Sequence, residues 1–209
     1  MMDFIKDPMT IENRSMEIIA PYLSGLNLSP TEVRVYSRMI HASGDPDYAN
    51  WIHIEPNAIE KGRTALESGK DIFCDVEMVR TGINKRRLAE YGGEAHCLIS
   101  APHIAEEAKK RGITRAMASM REFGEKLDGA IVAIGNAPTA LFEVLKMMEE
   151  TDIRPALIVG VPVGFVGAKE SKDLLIETSP VSYISVAGHK GGSSIAASVI
   201  NALLYLSGR

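Results

Sequence analysis

The sequence predicts an α/β protein: a three-layer, doubly wound (Rossmann-like) fold with a mostly parallel five-stranded sheet and an N-terminal helical segment. Three observations lead there. From residue 70 onward, short apolar, β-branched runs recur; each ends in a turn rich in Gly, Asn or Pro; and each is followed by a stretch with helical spacing. The composition can build such a core, because 45% of the 209 residues are hydrophobic and 24% are charged. One domain is expected over 1–209, with a helical segment at 1–69 and the α/β core at 70–209.

The clearest unit runs from Gly129 to Glu150. Ile131-Val132-Ala133-Ile134 reads as a buried strand, Gly135-Asn136-Ala137 as its turn, and Pro138 as the start of a helix. Asn136 is expected to cap that helix. Unpaired N–H groups at its start would favour an anionic ligand, at the sheet edge where open α/β folds place their ligands.

The N-terminal segment follows helical spacing over 10–23, with Arg14 and Ser15 on the polar side, where an exposed arginine is ordinary. Ser29-Pro30-Thr31-Glu32 is a capping box with proline at the first helical position, and Ser43-Gly44-Asp45-Pro46 supplies the stop. Arg34, Arg38 and His41 then share one stripe. His41 lies in the last turn, where the helix dipole favours imidazolium. It reads either as a general acid or as a capping histidine, and the local sequence leaves both open. A third helix spans 56–68 and closes at Gly69.

The first sheet strand is expected over 71–79, with Asp75 and Glu77 on one face, read as a solvated rim before an acid/base pair. Thr81-Gly82 reads as the loop that follows. A second strand at 95–99 leads through Ser100-Ala101-Pro102 into a helix, and His96 and His103, which lack metal-ligand spacing, read as structural. Thr114 caps a further helix whose first turn holds Arg115, a cation set against the dipole, as a ligand would explain. The fourth strand, 156–162, runs into Val163-Gly164-Phe165-Val166-Gly167. The fifth, 181–186, runs into Ala187-Gly188-His189-Lys190-Gly191-Gly192-Ser193-Ser194, which reads as an anion-cradling loop.

Several classes are excluded. The net charge of −4 shows no nucleic-acid surface. No apolar run is long enough to span a membrane, and Met1-Met2-Asp3-Phe4-Ile5-Lys6-Asp7-Pro8 lacks the pattern of a secretory leader, so a cytoplasmic protein is expected. Cys74 and Cys97 read as reduced packing residues. Neither the Walker A spacing nor Gly-x-Gly-x-x-Gly is present. A phosphate-ester or nucleotide enzyme using the Gly188–Ser194 loop, with Asp75 and Glu77 on Mg²⁺, remains as a rival.

Five blocks carry a resemblance: Arg38-Met39-Ile40-His41-Ala42-Ser43-Gly44-Asp45; Asp75-Val76-Glu77-Met78-Val79; Gly135-Asn136-Ala137-Pro138-Thr139-Ala140-Leu141; Pro162-Val163-Gly164-Phe165-Val166 with Lys169-Glu170-Ser171-Lys172; and Lys190-Gly191-Gly192-Ser193. Together, and in this order, they resemble the precorrin-8X methylmutase family. The resemblance implies an isomerase of cobalamin biosynthesis that moves a methyl group from C11 to C12 of a tetrapyrrole, precorrin-8X or cobalt-precorrin-8. It further implies a homodimer without a cofactor or metal, and His41 as the catalytic group. Substrate binding then falls to Arg14, Ser15, Arg38, Ser43, Thr81, Arg115, Asn136, Thr139, Gly164, Phe165, Lys190 and Gly191. His189 stands where the family motif has arginine. A non-catalytic corrinoid carrier is the other alternative.

Overall fold

The computed structural model describes residues 4–208. Met1-Met2-Asp3, the start of the stretch examined for a leader, lies outside them. Helix α1 spans Pro8–Leu23 and α2 spans Pro30–Ser43, and a 3₁₀ turn, Pro46–Trp51, leads into strand β1, Ile52–Ile54. Then come α3 (Ala58–Glu67), β2 (Ile72–Cys74), α4 (Glu77–Gly82), α5 (Lys85–Glu90), β3 (Ala95–His96), α6 (Pro102–Arg111) and α7 (Arg115–Phe123). The chain closes with β4 (Ile131–Ile134), α8 (Pro138–Glu150), β5 (Leu157–Gly160), α9 (Ala168–Thr178), β6 (Tyr183–Val186) and α10 (Ser193–Leu206).

The sheet has six strands among the described residues, in the order β1-β6-β5-β4-β2-β3. Every neighbouring pair is parallel except β1 with β6. The five parallel strands are those the sequence predicts. The sixth is a correction, because β1 comes from the segment expected to be purely helical. Trp51-Ile52-His53-Ile54 adds to the sheet edge with Ile52 opposite Val186, and the Ala187 N–H closes the pairing on the Trp51 carbonyl at 2.7 Å.

Burial explains why the central strands are apolar throughout. In β4, Ile131 and Ala133 pack into one hydrophobic cluster, and Val132 and Ile134 into another on the opposite face. Alternate residues point to opposite faces, so a strand covered on both sides needs an apolar residue at every position. Each such Ile or Val contributes about 1.5–3 kcal/mol relative to leaving it exposed. One layer is dominated by α2 and α10, the other by α7 and α8. The close fit of α10 depends on small residues: a Cβ on Gly82 would lie 2.8 Å from the Ala197 Cβ.

Two local rules place the end of α2. Ser29 accepts from the Glu32 N–H while Glu32 accepts from the Ser29 N–H, and Gly44 takes φ +66 at the other end, donating its N–H to the Ile40 carbonyl. The expected strand 71–79 is too long. It stops at Cys74, Val76 becomes the N-cap of α4, and Thr81-Gly82, expected as a loop, ends that helix against α10. No helix among the described residues is long and apolar enough to cross a membrane.

Candidate functional site

The loops that follow the parallel strands open on one side of the sheet, and two sets of hydrogen bonds tie them together. The first centres on Asp75, which directly follows β2 and is fully buried. Its carboxylate accepts N–H bonds from Gly135 (3.0 Å), Asn136 (2.8 Å) and Ala137 (2.7 Å). Strands β2 and β4 are neighbours at the point where the strand order reverses, where open α/β sheets leave a crevice. Burial pushes the Asp75 carboxyl above its usual range, and the three N–H bonds pull it back.

Three expectations change here. Asn136 does not cap α8; the N-cap is Ala137, which makes no side-chain cap hydrogen bond. The N–H groups expected to receive a ligand anion are taken by the protein's own carboxylate, which leaves the exposed Asn136 side chain as the loop's offering. Asp75 and Glu77 do not share a face either, because Glu77 opens α4 and pairs with Arg80 at 2.6 Å. The Mg²⁺ pair that the phosphate reading needs is therefore absent at these two residues.

The second set joins the end of α2 to the glycine loop. His41 lies in the last turn of α2 with its side chain exposed. Ser43 donates its hydroxyl to the Ile40 carbonyl at 2.9 Å and accepts the Asp45 N–H at 3.1 Å. Asp45 pairs with Lys190, whose ammonium lies 5.7 Å from the centre of the Tyr48 ring and holds the Asp45 carboxyl below its ordinary range. Gly191 is required where it stands, since φ is +154 and a Cβ would lie 2.2 Å from the Val161 carbonyl oxygen.

The loops after β5 and β6 are also bonded to each other. The Gly164 N–H donates to the His189 carbonyl at 3.2 Å, and His189 Nδ1 donates to the Gly164 carbonyl at 3.0 Å. The Phe165 and His189 rings lie 5.5 Å apart, with Phe165 87% exposed. On the far side of the crevice, the Thr114 and Thr139 hydroxyls bond at 2.9 Å, placing exposed Arg115 at the start of α7 beside the β4 loop. Thr81 is exposed on α4, its hydroxyl on the Glu77 carbonyl.

The remaining expected residues lie on α1 and α2, where their side chains are bonded to neighbours. Arg14 pairs with Glu17 at 2.9 Å, the Ser15 hydroxyl donates to the Ile11 carbonyl at 2.8 Å, and Arg38 pairs with Glu12. These bonds stay within α1 and α2, and Arg34 and Arg38 line a cavity of about 470 Å³ shared with α10. A cavity of about 800 Å³ opens elsewhere, along the β3 edge. There His96 pairs with Asp71 at 3.0 Å and stacks on Phe73, in keeping with its structural reading. Lys70 and Lys126 face Glu122 and Asp128 around this cavity, so it has no single sign of charge for a polyanion. Cys97 follows His96 as Cys74 follows Phe73 in the paired strands, and burial pushes its thiol up to about 11, which suits an inert packing residue.

Sequence reasoning missed the role of Asp45, which it takes only as a turn residue. It also missed exposed Met78 at the start of α4 and the burial of Asp75. An acidic residue just past a C-cap glycine was the available sign for Asp45; its partner is far away in sequence.

These features define a doubly wound α/β protein whose open loop face lies beside the end of an N-terminal helix. Comparison narrows the class to a family. The family model described as precorrin-8X methylmutase matches residues 10–206. The chain is 43% identical over 206 residues to the cobalt-precorrin-8 methylmutase of Leptospira interrogans, across 95% of this chain and 94% of that one. It is 40% identical over 202 residues to the precorrin-8X methylmutase of Sinorhizobium sp, across 96% of each. The crystal structure of precorrin-8x methyl mutase from Thermus thermophilus superposes with a TM-score of 0.85 at 36% identity, covering 94% of this chain and 96% of that one. The chain belongs to the precorrin-8X methylmutase family.

Proposed function

We propose that this protein is a cytoplasmic isomerase of cobalamin biosynthesis that moves a methyl group from C11 to C12 of precorrin-8X or cobalt-precorrin-8, with His41 as general acid. The carbon–methyl bond at C11 breaks as the bond at C12 forms, so the shift is intramolecular and balanced without a nucleophile or redox partner. What it needs is polarisation of the conjugated ring. An imidazolium N–H directed at a ring nitrogen supplies that, and the proton returns as the corrin product forms.

The observation that supports this reading is the pairing of Asp45 with Lys190, which ties the segment just after α2, the helix whose last turn holds exposed His41, to the glycine loop. Lys190, Arg115 and the Asn136 side chain offer donors to the carboxylate fringe of the macrocycle, and Phe165 offers an exposed ring to its face. Incubating the purified protein with precorrin-8X, and separately with cobalt-precorrin-8, should give the corrin chromophore from at least one of them in the visible spectrum. Recovery of both substrates unchanged would overturn the reading.

We further propose that the enzyme is a homodimer and that the outer face of α1 takes part in the interface. Ile11, Ile18 and Tyr22, at i, i+7 and i+11 on one face of that helix, are exposed large apolar side chains that a second copy would cover. Light scattering should give twice the chain mass, falling toward the monomer in Ile18→Glu/Tyr22→Glu. A wild-type monomer at micromolar concentration would refute this.

A further inference from the structure

Lys172, in the middle of α9, has no exposed surface and is among the largest fully buried side chains in the protein. A lysine is rarely buried this completely unless its ammonium has a partner. Here the partner is a backbone carbonyl: Lys172 Nζ donates to the Lys190 carbonyl oxygen. That residue is the one whose own ammonium pairs with Asp45, and its neighbour Gly191 fits only because it has no side chain. The glycine loop is thus gripped from both sides, by Asp45 from the end of α2 and by Lys172 from behind.

We propose that Lys172 is a positioning residue for the substrate site: its buried ammonium holds the Lys190 carbonyl, keeps the 187–192 loop in the shape that presents Lys190 and Gly191, and places a positive charge behind that loop for an anionic ligand. The proposal rests on the reading of this loop as the seat of substrate carboxylates. A neutral side chain of similar length would fill the same space, so packing alone does not require a lysine here. The charge costs desolvation and is repaid when a polyanion docks on the far side of the loop.

The surroundings favour this role. Besides Lys172, α9 carries Lys169, Glu170, Asp173 and Glu177; β6 brings Tyr183, and β5 brings no titratable group. The loop after β6 brings His189 and Lys190, and α8 brings Glu143, Lys146, Glu149 and Glu150. Among these, Asp173 is the charge that acts on the Lys172 ammonium, and its effect is outweighed by burial, which lowers the lysine from 10.5 to about 8. Two opposite trends follow. The ammonium, and the ligand binding that depends on it, are present below about pH 8 and lost above it. Fold stability does the reverse: between about 8 and 10.5 the unfolded chain binds more protons at this residue, so its contribution to stability rises with pH.

The test compares wild type with Lys172→Met, using hydrogenobyrinic acid, a polycarboxylate corrin, as the binding probe and precorrin-8X or its cobalt form for turnover. Loss of one charge-assisted hydrogen bond corresponds to about 10- to 100-fold in affinity. Lys172→Met should raise Kd and KM by that factor at pH 7, with kcat changed by less than about threefold, because the lysine does not touch the reacting atoms. Its melting temperature at pH 7 should equal or exceed that of wild type. Wild-type affinity should fall above about pH 8 and level off about 10- to 100-fold below its value at pH 7, while the variant's stays flat. Wild-type affinity that is constant from pH 6.5 to about 9.5 overturns the proposal without any variant, as does an unchanged KM in a folded Lys172→Met protein. Failure of wild type itself to bind the probe and to turn over either substrate overturns the underlying reading, and this role with it.

Discussion

His41→Ala is expected to lower turnover of the tetrapyrrole substrate by about 10²–10⁴-fold, the range that a positioned general acid contributes. Folding should be unaffected, because the His41 side chain is exposed and the end of α2 is held by Gly44, the Ser43 hydroxyl and Asp45. Substitutions at such exposed positions usually change stability by no more than about 0.5 kcal/mol. Binding of hydrogenobyrinic acid should weaken far less than turnover falls, since the carboxylate contacts come from other loops. His41→Gln separates two ways of polarising the ring. It keeps an N–H donor without an acidic proton, so recovery of most of the rate would assign the effect to hydrogen bonding, and a rate as low as that of His41→Ala would assign it to proton transfer. A His41→Ala enzyme with wild-type kcat would remove His41 from the chemistry altogether.

Local rules made much of this architecture legible. The parallel core follows from the demand that a strand buried on both faces be apolar throughout, which Ile131-Val132-Ala133-Ile134 and Leu157-Ile158-Val159 satisfy. The position of His41 follows from a capping box at one end of α2 and a glycine at the other. Less could be seen where the deciding partner is distant. Strand β1 is three residues long with His53 exposed, and what makes it a strand is its pairing with Ile184–Val186. Asp45 gains its role from Lys190, and Lys172 from the same residue's carbonyl. The loops of the site could therefore be found in the sequence, while the groups that hold those loops could not.

Asp75 is the sharpest case, because a carboxylate near a strand end is ordinarily solvated and this one is buried beneath three converging N–H groups. Asp75→Ala should destabilise the protein by about 3–5 kcal/mol. Gly135 and Ala137 are buried, so their N–H groups would be left without acceptors at about 1–3 kcal/mol each, while the Asn136 N–H can reach water more easily. Removing the carboxylate also relieves its own desolvation, which sets the upper bound. For a chain of 209 residues, this corresponds to a fall in melting temperature of about 10 °C. Asp75→Asn keeps the shape but turns an amide N–H₂ toward donors, so it should lie between the alanine variant and wild type. Both variants should lose substrate affinity, because the loop that carries Asn136 and leads to Thr139 loses its anchor. The same carboxylate that closes the Gly135–Ala137 N–H groups to a ligand anion is then what makes the crevice rigid. A melting temperature for Asp75→Ala within a degree or two of wild type would show that this anchor is dispensable.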